Sequence, residues 1–364
     1  MKIIDKPVKV WFSEVDILKA SAILLIVFGH IDNNLSNYDL VRLLGTYNAI
    51  IGLSIFFFIS GFLLSQTDSV ITSIEAIKNF YMKKFIRIFP LYWVALLSLI
   101  IIFGLLQINP GHVDPYNFSP GNVLIHFFGL QGIFPYTSIQ SMWFVGVIVL
   151  FYFLYPVIAY LSKNLFETII VSSFFFILLV ILHFFLGLIA IEALVYFPLF
   201  ISGFFIHQIA YSSKEIVDGN FLKKILFSNL ILISVIFLVF VFSEFYHLNF
   251  QFLNIQFLKP QILLLYALIP FCIILLIFTH LFIKIRGKIM VSISLIAFAT
   301  YAIYLFHQQF LAVFAFITDL FIRNIILQDI IILTFGFAGA ILCGILIQKL
   351  ELLLFMKFKL SHKR

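Results

Sequence analysis

The sequence predicts an all-α fold, a polytopic transmembrane bundle of about ten helices with both termini cytoplasmic. Three observations carry this. Of 364 residues, 63% are hydrophobic and only 11% charged, with a mean hydropathy of +1.16, whereas a soluble domain is about 25% charged and about 45–50% apolar. Apolar segments recur from near residue 15 to near residue 355, and no polar block between them reaches the roughly 50 residues that a separate soluble domain needs. The basic residues also fall on one side of these segments. The chain, 1–364, therefore reads as a single transmembrane domain with no fused soluble domain.

The first element, near 15–35, contains DILKASAILLIVFGH, apolar except for Asp16 and Lys19 at one end and His30 at the other. Lys2, Lys6 and Lys9 ahead of it resemble the n-region of a secretion signal, but GHIDNNLSN offers no small-residue cleavage pattern, so the segment is read as a retained helix. At about 20 apolar residues per crossing, further helices fall near 47–66, 87–108, 141–161, 166–187, 190–209, 225–243, 260–283, 292–313 and 328–350. No repeat of fixed period is visible, which argues against a repeat-built transporter. An even number of crossings puts both termini on one side. Assigning that side to the cytoplasm places all 23 basic residues there or at adjoining helix ends, except Arg42, Lys259 and Arg323. The connector 107–142 has four prolines and no Lys or Arg, whereas 78–87 carries Lys78, Lys83, Lys84 and Arg87. The middle of that connector, NVLIHFFGLQGIF, is apolar enough to lie in the interface, either as a cover over an outward-facing cavity or as an ordinary link.

The net charge of +7 does not signal nucleic acid, because the basic residues lie in short connectors rather than in one patch. Cys272 and Cys343 each stand alone inside an apolar segment, so neither a disulfide nor a metal site is expected.

Ionisable side chains at mid-helix cost roughly 2.5–3.5 kcal/mol each on insertion scales, so each asks for a partner or a use. Lys19 and His30 are separated by a rise of about 16 Å and almost three whole turns, so they share one helix face. Taken alone, Asp16 and Lys19 also suit interfacial anchoring, with Lys19 snorkelling to the headgroups. His30 suits either packing or proton exchange. In the ninth segment Thr300, Tyr304 and His307 follow i, i+4, i+7 spacing, and a helix starting near Ser292 brings His307 to the depth of His30. His126, His183 and His280 fall near segment ends, with no partner to name. In KKFIRIFPLYW, residues 83–93, Lys84 and Arg87 stand three apart at the inner surface, suited to anionic phosphate by charge and by the guanidinium fork. Positive-inside topology explains their charge but not the Pro90, Tyr92 and Trp93 that follow.

Five stretches, in order, resemble the acyltransferase-3 family of integral-membrane acyltransferases, which move acetyl and related groups onto cell-surface glycans. Asp16, Lys19, Gly29 and His30 match its opening acidic, basic and Gly-His positions. SIFFFISGFLL matches at Phe57, Ser60 and Gly61, and KKFIRIFPLYW at Lys84, Arg87, Pro90, Tyr92 and Trp93, with Lys84 where Arg is commoner. MWFVGVIVLFYFLYP matches at Trp143, Tyr152 and Pro156, with Ile148 where many members have Glu; ATYAIYLFHQQF matches at Thr300, Tyr301, Tyr304, Leu305 and His307. The resemblance spans 14 to about 350, nearly the whole chain.

The resemblance implies a multi-pass enzyme of a bacterial inner membrane. Its donor substrate is acyl-coenzyme A, most simply acetyl-CoA, with no permanently bound cofactor, and its acceptor is a glycan or lipid-linked glycan. Lys84, Arg87, Lys19 and Asp16 then hold the donor, and His30 is catalytic, as general base or transient acyl carrier. Tyr304, His307, Trp143 and Ser60 attend the acceptor or the thioester oxyanion. A pantetheine arm of roughly 15–20 Å, from standard bond lengths, matches the rise from Lys19 to His30. Without an esterase-like domain, the chain completes transfer itself or hands on to another membrane protein of glycan biosynthesis. Two rivals need no acyl-CoA: a transporter or flippase of a lipid-linked saccharide, and an inert scaffold in a glycan-export complex.

Overall fold

The computed structural model of the chain describes residues 12–31, 34–35, 39–67, 71–108, 117–134, 139, 142–162, 164–212, 271–275 and 287–361, all helix, turn or connector with no strand among them. The expected segment 225–243 lies outside the described residues, as does 260–283 apart from 271–275; His280 is therefore outside as well.

Two helices form the first hairpin: α1 (Phe12–Ile31) and α2 (Asp39–Thr67). They run antiparallel in backbone contact. A Cβ added at Gly29 would lie 2.6 Å from the Gly45 carbonyl oxygen, and one at Gly52 would lie 2.6 Å from that of Ala22. Close approach through small residues is how membrane helices associate, because lipid offers no hydrophobic drive between them.

The next helix, α3 (Ile74–Leu99), starts thirteen residues before the expected 87 and passes through Pro90 before ending in a π turn over Ile100–Leu105. The Ser73 side chain caps it, accepting from the Ala76 N–H at 3.2 Å. Its first half escaped the hydropathy pattern because that half is amphipathic: Lys78, Lys83 and Arg87 are exposed while Phe80 and Ile88 are buried. A short helix, α4 (Pro120–Phe127), forms within the long connector. Then follow α5 (Trp143–Leu161), α6 (Leu165–Leu186) and α7 (Ile191–Ser212). Asn164 caps α6, and Gly187, at φ 62°, ends it in the left-handed conformation that glycine adopts freely. The chain closes with α8 (Lys288–Phe321) and α9 (Ile325–Ile331), the latter leading through a π turn at Ile332–Gly336 into α10 (Phe337–Ser361). This last element runs past the expected 328–350 at both ends.

Seven stretches among the described helices are long and apolar enough to cross a membrane: Tyr47–Gln66, Ile74–Leu105, Trp143–Leu161, Leu165–Leu186, Ile191–Gln208, Lys288–Phe321 and Ile325–Met356. The 20-residue α1 is apolar in its later turns, but Glu14, Asp16 and Lys19 crowd its first two. The core is aromatic. Phe57 meets Phe151 at 5.4 Å and stacks on Tyr196 at 4.6 Å, and Phe151 meets Phe200 at 5.2 Å. Parallel helices α2 and α7 cross with Gly61 seated on the Phe200 carbonyl and Gly203 on that of Phe58. Below this crossing Ser65 Oγ and His207 Nδ1 are hydrogen-bonded at 2.7 Å. By contrast α6 turns Phe174, Ile177, Ile181 and Phe185 outward. A groove of about 460 Å³ between α6 and α7, lined by Ser172, Phe176, Phe197 and Pro198 among others, opens on this outward side. It contains none of the expected site residues.

Candidate active site

The hairpin and α8 bring the two expected histidines together. The rings of His30 and His307 are 5.0 Å apart between centroids, with their planes at 65°. Each ring is fixed by its own helix: His30 Nδ1 is 2.8 Å from the Ile26 carbonyl oxygen, and His307 Nδ1 is 2.7 Å from that of Tyr304. A carbonyl only accepts, so the hydrogen-bond network assigns the proton of each neutral ring to Nδ1 and leaves the lone pair on Nε2. His307 is 1% exposed and its Nε2 has no hydrogen-bond partner, whereas His30 keeps accessible surface. Gly29 makes this possible, since the tight α1–α2 contact beside it fixes where His30 stands.

Aromatic side chains surround the pair. Tyr304 lies 5.8 Å from His307 and 4.8 Å from Phe144, and Trp143 stacks on Tyr196 at 5.8 Å. The Thr300 hydroxyl donates back to the Ala297 carbonyl at 3.1 Å. Ser60 is part-buried, about one turn from Phe57 on α2 and next in sequence to Gly61. Ile148 packs in the core at 5% exposure, so the position where many relatives have Glu is apolar here.

At the other end of the Lys19–His30 face the charges gather. Lys19 is within electrostatic reach of both Arg87 and Asp16, and Arg87 is also within reach of Glu351 on α10. Two cations held near each other repel unless an anion lies between them. Lys84 also has aromatic neighbours. Its Nζ sits 5.0 Å over the Phe80 ring and 5.1 Å over that of Tyr152, drawn toward α5 by cation–π attraction. The Tyr301 hydroxyl donates to the Ile88 carbonyl at 3.0 Å, tying α8 to α3 between the charged end and the histidines.

Sequence reasoning missed Glu351 and Gln131. Glu351 stands in a helix whose expected end fell at 350. Gln131 donates from Nε2 to the Tyr92 hydroxyl at 3.0 Å and to the Met142 carbonyl at 2.8 Å. Its only sequence signal is a lone amide in an apolar run. His183 Nδ1 meets the Ile189 carbonyl at 2.8 Å in the α6–α7 turn. Among the described residues no three His, Cys, Asp or Glu side chains gather as a metal site.

A bundle of membrane-type helices that sets two imidazoles ring to ring, about three turns along α1 from Lys19, defines a class: an all-α protein of the membrane-helix type. The chain belongs to the acyltransferase-3 family, whose acyltransferase-domain model matches residues 12–349. It is by that membership a membrane acyltransferase. No curated protein and no solved structure matches it.

Proposed function

We propose that the protein transfers an acyl group, most simply acetyl, from cytoplasmic acyl-CoA through the bundle to a hydroxyl of a cell-surface polysaccharide or lipid-linked glycan. One observation carries this reading. His30, with its Nδ1 fixed on the Ile26 carbonyl, offers a basic Nε2 beside a second, equally fixed imidazole, on the helix face that leads to Lys19. The setting is the inner membrane of a bacterium, with both termini inside.

The donor's phosphates bind Lys19 and Arg87, with Lys84 flanking, and Asp16 orients Lys19. The pantetheine arm then reaches between helices toward His30. As the acceptor oxygen attacks the thioester carbon, Nε2 takes its proton, and collapse of the tetrahedral adduct expels the CoA thiolate, which recovers that proton. In the alternative order Nε2 itself attacks, CoA leaves, and the acceptor hydroxyl displaces the acyl-imidazole. Both orders need the same nitrogen. Tyr304, Trp143 and Ser60 remain candidates for holding the acceptor or the oxyanion, with His307 beside them.

The test is transfer of radiolabelled acetyl from acetyl-CoA to surface glycan in membranes carrying His30→Ala at normal protein level. Full activity there overturns the assignment. Binding or hydrolysis of acetyl-CoA by the purified protein separates this reading from a transporter or flippase, which would do neither.

A further inference from the structure

Segment 117–134 enters the bundle with its polarity reversed. On α4, Asn122 and His126 turn inward at 7% and 0% exposure, and Gln131 follows at 4%, while Leu124, Phe127, Phe128 and Phe134 face outward. A cover embedded in lipid needs this arrangement, apolar toward the acyl chains and polar only where the interior is hydrophilic. The segment is firmly held. Trp93 Nε1 donates to the Phe127 carbonyl at 2.9 Å, and the Ile189 and Ala190 N–H groups donate to the Ile133 and Gly132 carbonyls, both at 2.9 Å. Gly132 touches α5 so closely that a Cβ there would lie 2.6 Å from the Gly146 carbonyl oxygen.

Its depth follows from the helices beside it. The Tyr301–Ile88 bond sets the relative level of α3 and α8, and Gln309 on Ser98 at 3.5 Å shows that they run parallel. Tyr92 is about 6 Å further along α3 than Ile88, and Tyr304 and His307 are about 4.5 and 9 Å further along α8 than Tyr301. Gln131, bonded to Tyr92, thus stands at the level of the histidine pair. Phe144, two residues past the Met142 carbonyl that Gln131 holds, rests on Tyr304.

The chemistry of the unfilled atoms is uniform. Both bonds of Gln131 leave from Nε2, so its Oε1 is an acceptor, and it has no hydrogen-bond partner. His126 Nδ1 is fixed on the Asn122 carbonyl at 2.8 Å, which leaves Nε2 as a second buried acceptor without a partner. His307 Nε2 is a third. An enclosed acceptor with no donor is costly, so a ligand suited to this level brings hydroxyl hydrogens. Phosphate or carboxylate brings only lone pairs, and no Lys or Arg occurs between 107 and 142 to receive them.

We propose that His126 and Gln131 bind hydroxyl groups of the acceptor and select a neutral sugar unit over an anionic one. The assignment rests on the acyl-transfer reading above. Both atoms are enclosed in this structure, so binding displaces the packing around them, and filling the acceptors offsets that displacement.

The test supplies membrane vesicles carrying the protein with radiolabelled acetyl-CoA and with methyl glucoside, methyl rhamnoside or methyl glucuronide as acceptor. Tryptophan fluorescence of the purified protein is titrated with the same three glycosides. The neutral glycosides are expected to exceed the glucuronide by about tenfold or more in kcat/KM, and His126→Phe and Gln131→Leu each to raise the acceptor KM about tenfold while the donor KM moves less than about twofold. His126→Gln, which keeps an acceptor, recovers most of the loss. Equal use of the glucuronide overturns the proposal, as does a joint rise of donor and acceptor KM, which marks a packing role. Consumption of acetyl-CoA with no neutral glycoside used or bound overturns it too. If the wild type neither binds nor consumes acetyl-CoA, the acyl-transfer reading falls instead, and fluorescence decides on the cover alone: quenching by neutral glycosides, lost in both variants, upholds it, and its absence overturns it.

Discussion

His30 and His307 each commit one ring nitrogen to their own helix, and that local bond decides what the other nitrogen can do. A histidine in mid-helix finds an unshared carbonyl lone pair three or four residues back, and the bond holds the ring in a single tautomer with Nε2 as the base. Replacing His30 with Ala at unchanged protein level is expected to lower acetyl transfer by about 10²–10⁴-fold, the range for loss of a positioned acid–base group. The cationic residues should separate by role. Arg87 is exposed and faces Lys19, so Arg87→Ala is expected to raise the acyl-CoA KM about tenfold or more through loss of a charge-assisted contact. Lys84, held over two aromatic rings, should give a smaller rise when changed to Ala. Titrating acyl-CoA at saturating acceptor compares them directly, and a larger effect at Lys84 would reverse the assignment.

At the scale of elements, close helix contacts through glycine position the site. The α2–α7 crossing brings backbone against backbone at Gly61 and Gly203, where even a methyl group has no room. Gly61→Leu or Gly203→Leu should force the helices apart and destabilise the protein by about 1–3 kcal/mol, read as a lower Tm in detergent; an unchanged Tm would mean the crossing is looser than described. The segment 117–134 should respond to pH. Burial lowers the His126 pKa below its ordinary 6.5, with the bond to Asn122 opposing in part. The folded state therefore favours the neutral ring. Its contribution to stability is fully present above pH 6.5 and is lost as pH falls from 6.5 through the lower folded value, because the unfolded chain takes up the proton first. Hydrogen exchange of 120–134 should accelerate below about pH 6.5 in the wild type and lose that dependence in His126→Gln.

For the whole molecule, the distribution of Lys and Arg predicts that both termini face the cytoplasm. Reporter fusions at the two ends should both read inside; opposite readings would require an odd number of crossings. Eight of the expected segments overlap the helices α1–α3 and α5–α10, and a ninth is described, as helix, only at 271–275, because uninterrupted apolar length is a strong signal in a membrane. The errors came where that signal fails. The amphipathic first half of α3 carries charges on one face, so a hydropathy window reads it as a connector. Glu351 fell beyond the expected end of the last helix for the same reason, since a charge at a membrane boundary ends a hydropathy window without ending the helix.

The sequence by itself determined the class, the ordered motifs and the shared face of Lys19 and His30, because these follow from composition and from the fixed 3.6-residue period of a helix. Only the tertiary structure decided that His30 meets His307, that Lys84 lies over the Tyr152 ring, and that the apolar connector hides His126 and brings Gln131 to the level of the histidine pair. Those outcomes depend on which helices touch and through which small residues. A hydropathy pattern carries no such information, because in lipid every apolar face is equally at home and the choice of partner is left to packing and to a few buried polar groups.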